Sequence, residues 1–348
     1  MPVALPQNWT GYNLSLADAP GSCVIRADSP RYLGTGSTVN GYVATRSRVY
    51  TITDMFGART VGTPYAYADG TAVNSRQVQI QCERGNPDWC LVAVYFDTIG
   101  TRVYRTTNGG STWSDEGSLP SNHDSLLPQN AGLWQPGLWM HPSGNGEALV
   151  SAMASTGVSP VGDFWRTTDY GATWAKVTTT GYSVGEWVAS CITKPLNRAD
   201  VVYHGYMVDV AGTGYGSIRR IIGTTATDIT PSVGGGDYGI PFPVYAQRSI
   251  AVADDDASAV VVIGYDRASG KFGVFQTFEG LAAAPTWNTL VTPATSVPYR
   301  GAYYINRGLI YLIGESGALA RLTYSAGAWS TVTATAAGAG SIRGLFGG

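Results

Sequence analysis

Four charged side chains stand where short runs of apolar and β-branched residues begin. Arg76 precedes Gln77-Val78-Gln79-Ile80, Glu186 precedes Trp187-Val188, Arg248 precedes Ser249-Ile250-Ala251-Val252, and Arg300 precedes Gly301-Ala302-Tyr303. Arg26 lies inside a fifth such run. An arginine offers a planar fork of donors that suits a carboxylate or phosphate held bidentately. Tyr245 and Tyr299 stand beside two of these arginines, and Trp134 lies in a Gly/Pro-rich connection that leads toward another run. Tyr65, Tyr67, Tyr182, Tyr215, Tyr238 and Phe242 occupy similar connections. Aromatic faces stack on the apolar C–H faces of sugars, so the set Arg76, Trp134, Arg248, Arg300, Tyr245 and Tyr299 is the candidate for binding a glycan or a protein partner. The plain alternative is that these arginines pair with neighbouring acids and carbonyls and fill a wet channel.

Other chemistries find less support. His123, His141 and His204 are scattered over different parts of the chain, and no metal site is expected. Asp254-Asp255-Asp256 lacks the alternate-ligand spacing of a calcium loop and reads as a solvated turn. No Gly-x-Ser-x-Gly elbow, phosphate loop or dinucleotide fingerprint is present, so no cofactor is expected. A net charge of −2 with no basic run argues against a nucleic-acid surface. No apolar run reaches about 18 residues, so membrane insertion is not expected. The N-terminal Met1-Pro-Val-Ala-Leu-Pro lacks the basic start and apolar core of a secretory signal. Few lysines (Lys176, Lys194, Lys271) and much Gly, Thr and Ala fit a component of an extracellular or virion assembly, such as a phage tail or head decoration.

The elements that must position these residues are strands. A short apolar run recurs as Tyr32-Leu33, Leu91–Val94, Ala148–Val150, Val201–Tyr203, Val260–Ile263 and Leu309–Leu312, each after a polar turn and an earlier apolar run. Onsets roughly 50 to 60 residues apart suit four-stranded propeller blades. No helical period competes, and 45 glycines suit a fold of many tight turns. The expectation is an all-β chain: a single six-bladed β-propeller of four-stranded antiparallel blades over residues 1–332, followed by a Gly/Ala-rich tail, 333–348. Trp9 to Leu16 alternates like a strand and is expected to complete the last blade and close the ring. The tail is a candidate contact to a larger assembly. Cys82 and Cys90 flank a hairpin turn and face each other across it; a disulfide there and two buried free thiols are both open.

One stretch occurs twice. Thr106-Thr107-Asn108-Gly109-Gly110-Ser111-Thr112-Trp113 and Thr167-Thr168-Asp169-Tyr170-Gly171-Ala172-Thr173-Trp174 each follow an aromatic-Arg pair. The Asn or Asp accepts backbone N–H groups across a turn, Gly110 or Gly171 takes the φ > 0 position, the Thr hydroxyls tie the strands, and the Trp covers the turn. The pattern resembles the Asp box (BNR repeat) of sialidase-like β-propellers, Ser/Thr-x-Asp-x-Gly-x-Thr-Trp, with Asn108 replacing Asp in the first copy. In that family the box joins the third and fourth strands of a blade, on the face away from the active site. Pro285-Thr286-Trp287 and Gly327-Ala328-Trp329 look like degenerate endings of the same kind, while the fourth unit has no Trp there and must close differently.

The resemblance implies two further readings. Sialidases hold the substrate carboxylate with three arginines and use a Tyr nucleophile assisted by Glu, with an acidic Asp. Here Glu186, with Tyr299 or Tyr245, would fill the catalytic roles, but the Arg-Ile-Pro motif of the first blade is absent and no acid matches the Asp. The preferred expectation is therefore a non-catalytic interaction propeller. A sialidase-like glycoside hydrolase is the alternative, and an assembly factor of Asp-box type the second alternative.

Overall fold

A computed structural model describes residues 20–26, 40–45, 47–53, 60–67, 75–83, 86, 88–96, 100–118, 137–141, 145–152, 163–177, 186–208, 215–239, 249–266, 268–295, 299–314, 318–330 and 334–336. Among these the strands form seven antiparallel sheets, six of four or five strands and one of two. The large sheets are each drawn from one continuous stretch of chain and run as up-and-down meanders, a propeller-like, all-β architecture. The chain divides into two compact units, the first holding the first three sheets and the second the rest.

In the first unit, sheet one runs β1 (Pro20–Arg26), β2 (Asn40–Thr45), β3 (Arg48–Thr53), with β4 (Thr60–Val61) and β5 (Tyr65–Ala66) both on β3. Sheet two runs β6 (Ser75–Cys82), β7 (Cys90–Phe96), β8 (Gly100–Thr106), β9 (Ser114–Ser118). Sheet three runs β10 (Leu138–Met140), β11 (Ala148–Ala152), β12 (Asp163–Thr167), β13 (Ala175–Val177). The side chains of β7 show why these second strands read as unbroken apolar runs. Cys90, Val92 and Val94 pack with Tyr42, Ala44 and Val49 of sheet one, while Leu91 and Ala93 pack with Leu138, Ala148 and Val150 of sheet three. A strand buried on both faces has no polar side to alternate with. The first strands of sheets two and three are joined by side chains: Gln79 Oε1 accepts from Leu138 N (3.0 Å), Gln81 Oε1 from Met140 N (3.1 Å), and Gln81 Nε2 donates to Leu138 O (2.7 Å).

In the second unit the sheets are β14 (Glu186–Thr193), β15 (Val201–Val208), β16 (Tyr215–Ile222), β17 (Thr225–Asp228); then the hairpin β18 (Ser232–Val233) with β19 (Gly236–Asp237). Next come β20 (Ile250–Val252), β21 (Val260–Asp266), β22 (Lys271–Thr277), β23 (Asn288–Ala294). The last sheet is β24 (Tyr299–Asn306), β25 (Leu309–Gly314), β26 (Ala318–Ser325), with β27 (Ala328–Trp329) and β28 (Ala334–Ala336) both on β26. Val261, Ile263, Val274, Ala302, Tyr304, Ile310 and Leu322 form the core between the last two large sheets.

A backbone bond repeats through five sheets. An N–H at the end of the third strand donates to a carbonyl in the turn between the first and second: Gly109 to Asp88, Tyr170 to Gly146, Gly223 to Asp200, Gly280 to Ser258 and Tyr324 to Gly308, at 2.7–3.1 Å. It fixes the two turns against each other, and at Gly223 and Tyr324 it also continues the ladder by one rung.

One expectation needs correction. Leu91–Val94, Ala148–Val150, Val201–Tyr203, Val260–Ile263 and Leu309–Leu312 are all second strands, but in sheet one that place belongs to Asn40–Thr45, and Tyr32-Leu33 lies outside the described residues. β27 and β28 both pair with the edge of β26 that faces away from β25; Trp9 to Leu16, expected to complete this sheet, lies outside the described residues. β28 falls inside the Gly/Ala-rich stretch 333–348, where Ala334–Ala336 pairs with Ala318–Ala320.

Candidate functional site

The best-defined side-chain chemistry lies in the two repeated turns. In the first, Asn108 Oδ1 accepts from Thr112 N (2.9 Å) and the Thr106 hydroxyl (3.0 Å), and Asn108 Nδ2 donates to Thr112 Oγ1 (2.7 Å). Thr106 Oγ1 in turn accepts from Gly110 N (2.9 Å). The second repeats this with a carboxylate. Asp169 Oδ1 accepts from Thr173 N (2.9 Å) and the Thr167 hydroxyl (2.7 Å), and Asp169 Oδ2 from the Thr173 hydroxyl (2.5 Å). Thr173 leads these donors, which hold the Asp169 carboxyl down at about 2.

Each turn is anchored by its ring and its glycine. Trp113 meets Tyr42 edge-on at 5.7 Å. Gly110 has φ +82°, and a Cβ there would fall 2.6 Å from Tyr42 Cε1, so both backbone and space require glycine. Tyr170, at φ 60°, holds its ring 5.2 Å from that of Trp89 in sheet two, and Arg105 Nη1 donates to the Tyr170 carbonyl (3.4 Å). These turns are staples between neighbouring sheets within the first unit.

The degenerate ending Pro285-Thr286-Trp287 belongs to a third turn of this chemistry, whose Thr277 and Glu279 the spacing did not reveal. Glu279 N donates to Thr277 Oγ1 (2.9 Å) and Thr286 N donates to Glu279 Oε2 (2.9 Å), the same roles as in the other two. The acid is one methylene longer, and it stands seven positions before its second Thr instead of four, so the spacing hid it. Gly280 is pressed between sheets, where a Cβ would lie 2.6 Å from Val260 Cγ2. The 327–329 ending closes on a two-residue turn, Ala326 (φ 51°) and Gly327 (φ 81°), and Trp329 Nε1 donates to Gln276 Oε1 (3.1 Å). The fourth unit, without a Trp, closes on Gly223-Thr224 between Ile222 and Thr225.

The expected ligand residues are placed unevenly. Arg76 is the second residue of β6, Glu186 the first of β14 and Arg300 the second of β24, each at the start of the first strand of its sheet. Arg26 ends β1. Trp134, Tyr182, Phe242, Tyr245 and Arg248 lie outside the described residues. The remaining aromatics with described side chains differ from the expectation of an exposed face. Tyr67 is stacked on Tyr104 at 4.7 Å and donates to Arg48 O (3.1 Å); Tyr238 packs on Phe275 at 4.6 Å; Tyr299 is 3% exposed within the core of the last two large sheets. Tyr65 is half-buried between Tyr104 and Trp113. A large ring in a connection gains more by docking into the adjacent core than by facing water. Burial pushes the Tyr299 phenol above its ordinary value.

His204 is fully buried, its Nδ1 lies 3.2 Å from the Gly205 carbonyl, and burial drives its imidazole down to about 3, so it is a neutral core group. His141 lies edge-on to Trp139 at 5.6 Å. Asp255 and Asp256 organise the β20–β21 turn: Asp255 Oδ1 accepts from Arg307 N (2.8 Å), and Asp256 pairs with Arg307 Nη1 (3.1 Å) and accepts from Ser258 N (2.9 Å). Among the described residues no cluster of His, Cys, Asp or Glu is set to hold a metal ion, and no helix is long and apolar enough to cross a membrane. Cys82 and Cys90 form a disulfide, while Cys191 is a buried thiol.

No family model and no curated protein matches the sequence. Solved structures do match in fold. The chain is similar to BP39L lectin from Burkholderia pseudomallei, at 13% identity over 91% of this chain and 85% of the lectin, with a TM-score of 0.53. It is similar to YCF48 from Cyanidioschyzon merolae, at 13% identity over 94% of this chain and 89% of that one, with a TM-score of 0.51. At such identities the likeness is one of fold.

Proposed function

We propose that this chain is a non-catalytic interaction module, a six-bladed propeller of Asp-box type. It binds a glycan or a protein partner through residues at the starts of the first strands of its sheets. The observation that carries the reading is the recurrence of a charged residue in the first two positions of a sheet's first strand, Arg76 in β6, Glu186 in β14 and Arg300 in β24. Trp134, Tyr245 and Arg248 complete the proposed ligand set. A lectin shares the fold, which supports binding to sugar. The Cys82–Cys90 bridge fits an extracellular or virion-associated setting, where disulfides persist.

A sialidase-like hydrolase is the second reading, favoured by Glu186 at the mouth of β14. The buried Tyr299 counts against it, because a nucleophilic phenol needs its anion stabilised and burial does the reverse. The test is a glycan array run beside a panel of fluorogenic glycosides. Binding without turnover supports the module; turnover abolished by Glu186→Gln supports the hydrolase.

A further inference from the structure

We infer that the Cys82–Cys90 bridge is a redox-sensitive clamp on the loop that carries both repeated turns of the first unit. The bridge joins the last facing pair of β6 and β7 and closes the loop from Glu83 to Trp89. Several supports converge there. The Asp88 carbonyl takes the Gly109 N–H at 3.0 Å, which seats the tip of the 106–113 turn. The fully buried Trp89 ring holds Tyr170, the tip of the 167–174 turn. Trp89 itself is fixed by its N–H on Asn86 O (3.0 Å) and by its carbonyl, which accepts from Glu83 N (3.0 Å). One short loop thus seats its own sheet's hairpin and that of the next sheet.

The second unit supplies an internal control. Its equivalent seats, Gly223 on Asp200 and Gly280 on Ser258, rest on loops without a bridge. A crosslink that closes a short loop restricts the opened state of that loop first, so its loss shows locally before it shows globally.

The chemistry is thiol–disulfide exchange with a dithiol reductant. Its thiolate attacks Cys82 Sγ, the half-buried partner, the S–S bond breaks, and Cys90 leaves as a thiolate that takes up a proton. The reductant's second thiol then displaces Cys82 and becomes a cyclic disulfide, so two electrons pass from dithiol to bridge. Cys90 is fully buried beside Tyr42, Val78 and Tyr104. An apolar surrounding makes its thiolate a poor leaving group, so exchange proceeds through brief opening of the turn.

Hydrogen-exchange mass spectrometry on the full chain, with and without dithiothreitol, tests the clamp, with thiols counted in parallel. Reduction is expected to speed exchange about tenfold or more in segments 83–89, 106–113 and 168–174, and to leave 198–201, 223–225 and 256–260 unchanged. The Cys82→Ser/Cys90→Ser double variant should reproduce the pattern without reductant. Unchanged exchange after reduction, equal acceleration in both units, or a bridge that resists dithiothreitol until the whole chain unfolds would each overturn the inference. If the double variant does not fold, the reductant arm alone decides.

Discussion

Replacing Asp169 by alanine probes the best-defined turn at the group on which it depends. The carboxylate accepts from Thr173 N, the Thr173 hydroxyl and the Thr167 hydroxyl. Alanine leaves all of these donors facing a methyl group, although water reaches this partly exposed turn. With each net bond worth about 0.5–1.5 kcal/mol, three sum to about 1.5–4.5 kcal/mol, and the access of water to the freed donors lowers the loss to about 1–3 kcal/mol. The pH dependence gives a second handle. The donors hold the folded carboxyl at about 2 against an ordinary 3.8. A depressed folded value means stabilisation that is fully present above about pH 4 and is lost as pH falls through about 2. The drop corresponds to at most about 2.5 kcal/mol, and screening by solvent reduces it to about 1 kcal/mol. Thermal melts followed in the first unit at pH 7 should show the variant lower by roughly 3–9 °C. The gap should narrow between pH 4 and pH 2, and ligand binding should not change. A variant that melts with the parent, or a gap independent of pH, would refute the reasoning.

The remaining predictions concern the third turn, the glycine seat and the chain end. Glu279→Ala should lower the melting temperature of the second unit and raise exchange across 278–287, because Thr286 N loses its acceptor; exchange rates equal to the parent's would remove Glu279 from this role. Gly280→Ala should cost about 1–3 kcal/mol by driving a methyl against Val260 and the Ser258 carbonyl, read as a lower denaturation midpoint; a neutral effect would mean that the two sheets separate easily there. Removing residues 333–348 takes away β28, unpairs Ala318–Ala320 and should promote aggregation in light scattering. A truncated chain that stays monomeric and as stable as the full one would show that this pairing is dispensable.

The strand plan was legible where burial on both faces left an unbroken apolar run, as in Leu91–Val94 and Val260–Ile263. It failed in sheet one, where the second strand, Asn40–Thr45, carries Asn and Gly at its start and gives a weaker run than its counterparts. The two turns were legible because their chemistry needs Thr, Asx, Gly and Trp at fixed spacing. Of the third turn only the ending Pro285-Thr286-Trp287 was legible; Thr277 and Glu279 were not, because a longer acid spans an inserted loop and keeps the hydrogen bonds without the spacing. The closing of the last sheet by Ala334–Ala336 left no mark, since an Ala/Thr edge strand and a loose Ala-rich end read alike. Tyr67, Tyr238 and Tyr299 misled for another reason. Tyr67 and Tyr238 lie in connections and Tyr299 begins β24, but a sequence does not say whether such a tyrosine turns out to solvent or in to the core.

The proposed activity is binding without catalysis through residues at the starts of the first strands. Calorimetric titration of the best array ligand into the parent, Trp134→Ala, Arg300→Ala and Glu186→Gln chains, with hydrolysis and melting temperature measured on each, tests it most directly. The account predicts that Trp134→Ala and Arg300→Ala weaken binding by about 1–3 kcal/mol with little change in melting temperature, and that no variant or parent turns the ligand over. Turnover by the parent that Glu186→Gln abolishes while affinity persists would contradict it, as would an Arg300→Ala chain that melts early and a parent that binds nothing.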